Sequence, residues 1–306
     1  MLKHKLLRMS NNATDVTNSN LNELLKSIGI EGINTGWTKK FGEPKPETVQ
    51  LRSITYKHDQ KKQISASSVF KLIYAQAFKT DIMIDHIAMH PSSWFNQNIS
   101  LDDMSTFTII IHLQVKSIKT SFITYHVLEK DMFNGYNKNG TPIIKGDRAF
   151  TKLLDLILNC NDKTIRNNRI KLIPRIVEGP YPVKRVVENR PVLLGNKVSQ
   201  TYYRGINYFE IDSRVDESMV AASIIKLCHR FAKRIVVDMA WTLQGEEFDE
   251  LPERLFCGCT VYNMDFSKCK DLKYEMENCQ KLIYKKNNNN NNDSNKQQQD
   301  EQKENK

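Results

Sequence analysis

No run in these 306 residues approaches the roughly 18 apolar positions that a membrane-crossing helix requires. The N-terminal "MLKHKLLRMSNNATD" is basic, but its apolar part is far too short for a secretory signal core. Asp15 and the Asn-rich continuation also count against a mitochondrial presequence. The expectation is a cytoplasmic protein, soluble or peripherally attached to a membrane.

Cysteine is sparse: six residues, too few for a disulfide framework at this length. Four lie near the C-terminus, with Cys257 and Cys259 as C-x-C and Cys269 and Cys279 isolated. Structural zinc takes C-x₂₋₄-C pairs, and the second pair is missing, so free thiols in a reducing compartment are expected. The chain also lacks G-x-S-x-G, a Walker loop, G-x-G-x-x-G, H-E-x-x-H and C-x-x-C.

What remains for catalysis is thin. In "DHIAMH", His86 and His90 are four apart and would share a helix face with Asp85. A histidine pair without a third assigned ligand reads as structural, so neither metal nor cofactor is expected. His229 reads as a core or edge histidine. "GEEFDELPERL" carries Glu246, Glu247, Asp249, Glu250 and Glu253 around Pro252, which reads as an exposed, solvated loop. The enzyme alternative is a hot-dog-like thioesterase acting on acyl carriers, with Asp85, His86 and Asp238 as its candidate polar groups. A non-enzymatic protein is the favoured reading.

Both ends read as disordered: residues 1–20, and 285–306 with six consecutive asparagines, Asn287–Asn292. Between them, residues 21–268 read as one domain. A short helix is predicted at "NLNELLKSIGI" and a hairpin from "TFTIIIHLQVK" and "SFITYHVLEK". Strands are also predicted at "SSVFKLIYAQAF", "RIKLIPRIVEG", "TYYRGINYFEID", "IVVDMAWTLQG" and "RLFCGCTVYNMDF". "DRAFTKLLDLILN" spaces Phe150, Leu153, Leu154, Ile157 and Leu158 as one helical face. "DESMVAASIIKLCHRFAKR" is the strongest helix pattern, with Asp216 or Ser218 as cap and Lys226, Arg230, Lys233 and Arg234 in its last turns. About seven strands and three helices without β-α-β alternation give an α+β fold. The expected form is a mainly antiparallel sheet packed around one long helix, hot-dog-like or helix-grip (START-like).

The net charge is +10, which favours acidic partners. Much of it is local: from Asn161 to Arg204 there are ten Lys or Arg against three Asp or Glu. In "RIKLIPRIVEG", Arg169, Lys171, Arg175 and Val177 share one strand face while Ile170, Leu172 and Ile176 share the other. "PYPVKRVVENRP" then turns out of the sheet. No RNA-recognition, KH or helix-turn-helix pattern accompanies this charge, and aromatics are not interleaved with it, so nucleic acid is not the expected partner. The bland alternative for the charge is pairing with Glu178, Glu188 and the "GEEFDELPE" loop, and for Arg204 a buried pair with Asp238.

Four blocks carry a resemblance: "FKLIYAQAF", "DHIA", "RIKLIPRIVEGPYPVKRVVENRPVLLGNKVSQTYYRGINYFEID" and "VVDMAWTLQGEEFDELPERL". From about Trp37 to Asp265 the chain resembles the C-terminal domain of the plant Enhanced Disease Resistance 2 proteins. That domain has no established catalytic role. In the plant proteins it usually follows a phosphoinositide-binding pleckstrin-homology domain and a lipid-binding START domain, and those proteins are membrane-associated. The stretch before Trp37 is shorter than either of those domains. The resemblance therefore implies attachment through the domain itself or through a membrane-anchored protein.

The expectation drawn from this is a non-catalytic domain that binds lipid or an anionic phospholipid surface. Lys171, Arg175, Lys184, Arg185 and Arg190 are the expected head-group contacts, and Tyr203, Phe209 and Trp241 the expected lining of an apolar cavity. Besides the thioesterase, the alternative is a protein-interaction module using the same basic face, with a tight apolar core.

Overall fold

The computed structural model describes residues 40–274, other than 92 and 188, together with residue 277. The helix predicted from Asn20, both tails, Glu188 and Cys279 lie outside the described residues.

Two large sheets form the scaffold. The first has the order β1 (Phe41–Gly42), β14 (Leu255–Tyr262), β13 (Val236–Leu243), β9 (Ile170–Glu178), β10 (Val192–Leu193), antiparallel throughout. The second runs β11 (Ser199–Arg204), β12 (Tyr208–Arg214), β5 (Thr108–Val115), β6 (Thr120–Leu128), β4 (Phe70–Lys79), β15 (Lys270–Asp271). Its pairs are antiparallel except β12 with β5 and β15 with β4. Two short hairpins, β2 (Gln50–Arg52) with β3 (Lys62–Ile64) and β7 (Phe133–Tyr136) with β8 (Pro142–Ile144), are peripheral. The class is α+β with mostly antiparallel sheet, as the sequence predicts.

The predicted hairpin of β5 and β6 pairs from Thr108↔Val127 to Val115↔Thr120. "TYYRGINYFEID" is instead two strands, β11 and β12, folded back through Gly205-Ile206-Asn207. A side chain on Gly205 would run into the Tyr208 ring, so this turn needs glycine for close approach.

Alternation along the strands divides each sheet into two faces. Ile109 and Ile111 of β5, with Phe209 and Ile211 of β12, face Ile170 of β9 and Trp241 and Leu243 of β13 across the main core. Two helices carry an apolar face in the sequence, and they pack differently. Helix α3 (Arg148–Asn159) fills this core with Phe150, Leu153, Leu154, Ile157 and Leu158, the five positions its spacing predicts. Asp147 caps it, accepting from the Phe150 N–H at 2.9 Å. Short helices α1 (Tyr56–Asp59), α2 (Trp94–Asn98) and α4 (Lys163–Arg169) serve as connections.

Helix α6 (Met219–Arg230) is capped by Ser218 as predicted, but none of its residues is fully buried. It lies with α5 (Tyr181–Val186) over the far end of β9 and β13. Val183, Ile176 and Ile235 form the buried seam there, with Leu227 and Phe231 packed against it. The remaining outer face of the six-stranded sheet is covered by the segment from Ile84 to Leu101, through Ile84, Ile87, Trp94 and Phe95.

Candidate functional site

The basic run divides at the end of β9. Lys171 is buried, its Nζ 2.6 and 2.8 Å from the two carboxylate oxygens of Glu253. Glu253 is itself held by the N–H groups of Gly245 and Arg52. Burial lowers the pKa of Lys171, against the pull of Glu253. Arg175 donates through Nε and Nη2 to Oδ2 of Asp238, at 3.0 and 2.6 Å, and Thr260 donates to the other oxygen. Arg169 reaches Glu250 at 2.7 Å.

These contacts correct two expectations. "GEEFDELPERL" is not a solvated loop throughout: Glu250 and Glu253 are buried and bind Arg169 at the end of α4 and Lys171 on β9. Asp238 pairs with Arg175, not with Arg204. Arg204 instead donates to the carbonyls of Gly140, Gly205, Ile206 and Tyr208 and lies 4.8 Å from the Phe107 ring centroid. Lys171 is thus taken up inside the domain and Arg175, half-buried, is paired at its edge; the expected head-group contact at Lys171 is closed by its burial.

The other half of the run is open. On α5, Lys184 and Arg185 are exposed and form no ion pair among the described residues. Beside them Tyr181 is 74% exposed, and Val186 and Val177 are also exposed. Only Val183 of this helix is buried. Proline at the first turn, with Pro180 as cap residue and Pro182 following, favours the helix start where a turn was expected. Arg190 is exposed in the loop beyond. The adjoining end of α6 adds exposed Lys226, Arg230, Lys233 and Arg234. Lys233 is bound to Asp265 at 3.0 Å, and Arg234 sits over the Phe231 ring.

The three expected cavity residues do not converge. Phe209 and Trp241 are fully buried in the main core. Tyr203 pairs across strands with Glu210, which puts it on the opposite face of the sheet, where it stacks on His86 at 4.2 Å. The thioesterase candidates are separated too. Asp238 shares the outer face of the five-stranded sheet with Arg175 and Thr260. His86 and Asp85 lie over the outer face of the six-stranded sheet, where Asp85 contacts Arg214. His86 is not on a helix face with His90: it takes a left-handed conformation (φ 58°) before a single 3₁₀ turn, Ile87–Met89.

Beneath that turn is a polar cluster the sequence reading missed. His112 on β5 and Glu210 and Asp212 on β12 are buried side by side on the parallel strand pair. His112 Nδ1 is 3.0 Å from Asp212 Oδ1, and its Nε2 is 2.6 Å from Ser121 Oγ. Three successive backbone N–H groups point down at the carboxyls: His86 to Asp212, Ile87 and Ala88 to Glu210, at 3.0, 2.6 and 2.8 Å. Burial, reinforced by the neighbouring Asp212, pushes Glu210 up to about 9. Burial also raises Asp212, and it pushes His112 down to about 4. Glu210, raised further than Asp212, is the donor of the hydrogen bond the two carboxyls share, and Asp212 accepts it. The visible trace in the sequence is "FEID", two carboxylates two residues apart that alternate with Phe209 and Ile211.

No helix among the described residues is long and apolar enough to cross a membrane. The family described as "Protein ENHANCED DISEASE RESISTANCE 2, C-terminal" matches residues 41–265. A curated relative, "Protein ENHANCED DISEASE RESISTANCE 2-like" of Arabidopsis thaliana, is 25% identical over 218 residues. The alignment covers 71% of this chain and 28% of the relative, so the chain corresponds to well under a third of that protein. No solved structure matches. A match that runs from β1 past β14, across both sheets, makes this chain a member of the Enhanced Disease Resistance 2 C-terminal family.

Proposed function

We propose that the domain docks on anionic phospholipid surfaces through the end formed by α5 and α6, without catalysing a reaction. The observation that carries this is the pairing of exposed Lys184 and Arg185, without ion-pair partners among the described residues, with exposed Tyr181 and Val186 on one short helix. Charged residues that serve the fold find partners inside it, as Lys171 and Arg175 do. An aromatic side chain next to exposed cations suits the membrane boundary, where the ring enters the head-group layer and the charges meet phosphate. Lys226 and Arg230 on α6 widen the same positive end.

Each Lys or Arg near an anionic surface contributes roughly 1 kcal/mol. Losing Lys184 and Arg185 should therefore weaken binding by about 30-fold, and reversing them should do more. The test is co-sedimentation of the full chain with phosphatidylcholine vesicles, with and without phosphatidylserine. Binding should need the anionic lipid, fall with salt, and be lost in Lys184→Glu with Arg185→Glu. No binding to any vesicle, or equal binding by the double variant, sinks the reading. A protein that then co-purifies through the same two residues would make this end a protein-interaction face.

A further inference from the structure

We propose that His112, Glu210 and Asp212 form a binding site for one divalent transition-metal ion of the zinc type, which anchors the segment over the six-stranded sheet. Their donor atoms all lie within 4.8 Å of one another, and all three residues are buried. Ligands around one zinc ion sit about 2.0–2.2 Å from the metal, so roughly 3–4 Å from each other. The 3.0 Å separation of His112 Nδ1 and Asp212 Oδ1 falls at that spacing.

The surroundings favour a cation. Two carboxyls are buried here, yet neither forms an ion pair with Lys or Arg among the described residues; Arg214 turns outward to Asp85 and Glu217. Buried carboxylates are neutralised by a proton, by a cationic side chain or by a metal. The second shell is also in place. Ser121 holds Nε2 of His112, leaving Nδ1 directed at the carboxyls, and N–H donors from three consecutive residues fix the carboxyl oxygens. Such outer partners orient ligating imidazole and carboxylate groups. A donor set of one imidazole and two carboxylates suits zinc or manganese better than copper(I), which selects sulfur.

The same carboxyls that would bind the ion hold the backbone of His86, Ile87 and Ala88, so metal and covering segment are mechanically linked. Loading the site should slow amide exchange at Ile87 and Ala88 and raise the melting temperature of the whole chain.

The experiment uses the untagged full chain, dialysed and analysed for metal, then titrated with zinc or manganese chloride. Glu210→Gln and Asp212→Asn keep the shapes of the side chains while removing their charge. The expected result is about one ion per wild-type chain, lost in both variants, with a chelator lowering the wild-type melting temperature only. Equal metal content in the variants, or a wild-type melting temperature indifferent to chelator and added metal, overturns the proposal. In that case the pair holds only its shared proton, and Glu210→Gln should be no less stable than wild type. Should the variants fail to fold, exchange at Ile87 and Ala88 in wild type decides: unchanged rates with and without zinc also overturn it.

Discussion

The two halves of the basic segment, β9 and α5, are adjacent in sequence and opposite in fate. On β9 and at the residue just before it, each cation faces a carboxylate from the five-stranded sheet or its loop: Arg169 with Glu250, Lys171 with Glu253, Arg175 with Asp238. On α5, Lys184 and Arg185 project from a helix whose single buried residue is Val183. Local charge density is high in both, so density alone does not identify a binding surface. What separates them is whether the fold supplies a counter-charge at that place. Within the sheet, an unpaired cation would incur a large desolvation cost; on the helix, water removes that requirement.

The largest test of this contrast is Lys171→Ala. It leaves Glu253 buried without its main counter-charge, which should cost about 3–5 kcal/mol of stability. Chemical denaturation measures it, and a midpoint shift equivalent to less than about 1 kcal/mol would break the distinction. The folded fraction should still bind anionic vesicles as wild type does, because Lys171 is not part of the outer surface. Loss of vesicle binding at full stability would instead place Lys171 at the membrane.

Asp238→Asn is a milder probe on the same strand pair. Arg175 keeps partial solvent exposure at its side chain (26%), so losing the ionic partner should cost only about 1–2 kcal/mol. Freed from Asp238, Arg175 becomes an additional cation at the surface. The variant should bind anionic vesicles at least as tightly as wild type, and weaker binding would tie Asp238 to the docking surface.

The legible parts of the molecule are those specified by local periodicity. Helix α3 places Phe150, Leu153, Leu154, Ile157 and Leu158 on one side at helical spacing, and all five are buried. β5 and β6 pair as expected because both are long and apolar and the connection between them is short. Strands of two residues, such as β1, β10 and β15, carry no period to read, so how the strands divide between the two sheets is not legible in the sequence. Helix α6 has an apolar stripe, but Met219 and Val220 at its start stand exposed, because the stripe meets the scaffold only from Leu227 onward. Glu250 and Glu253 read as solvated because their partners, Arg169 and Lys171, lie about eighty residues earlier. The His112 cluster was hidden for the same reason. Its members look like ordinary alternating strand residues until the parallel pairing of β5 with β12 sets them side by side.

Tyr181→Ala gives the smallest and most specific effect. The ring is 74% exposed and no described contact holds it, so its removal should change stability by less than about 0.5 kcal/mol. If the ring enters the head-group layer, burying part of its apolar surface contributes roughly 1 kcal/mol, about fivefold in vesicle affinity. That loss should persist at high salt, where the contribution of Lys184 and Arg185 fades, because apolar burial is not screened. Unchanged affinity of the variant at both low and high salt would show that α5 meets the membrane by charge alone, with Tyr181 remaining in water.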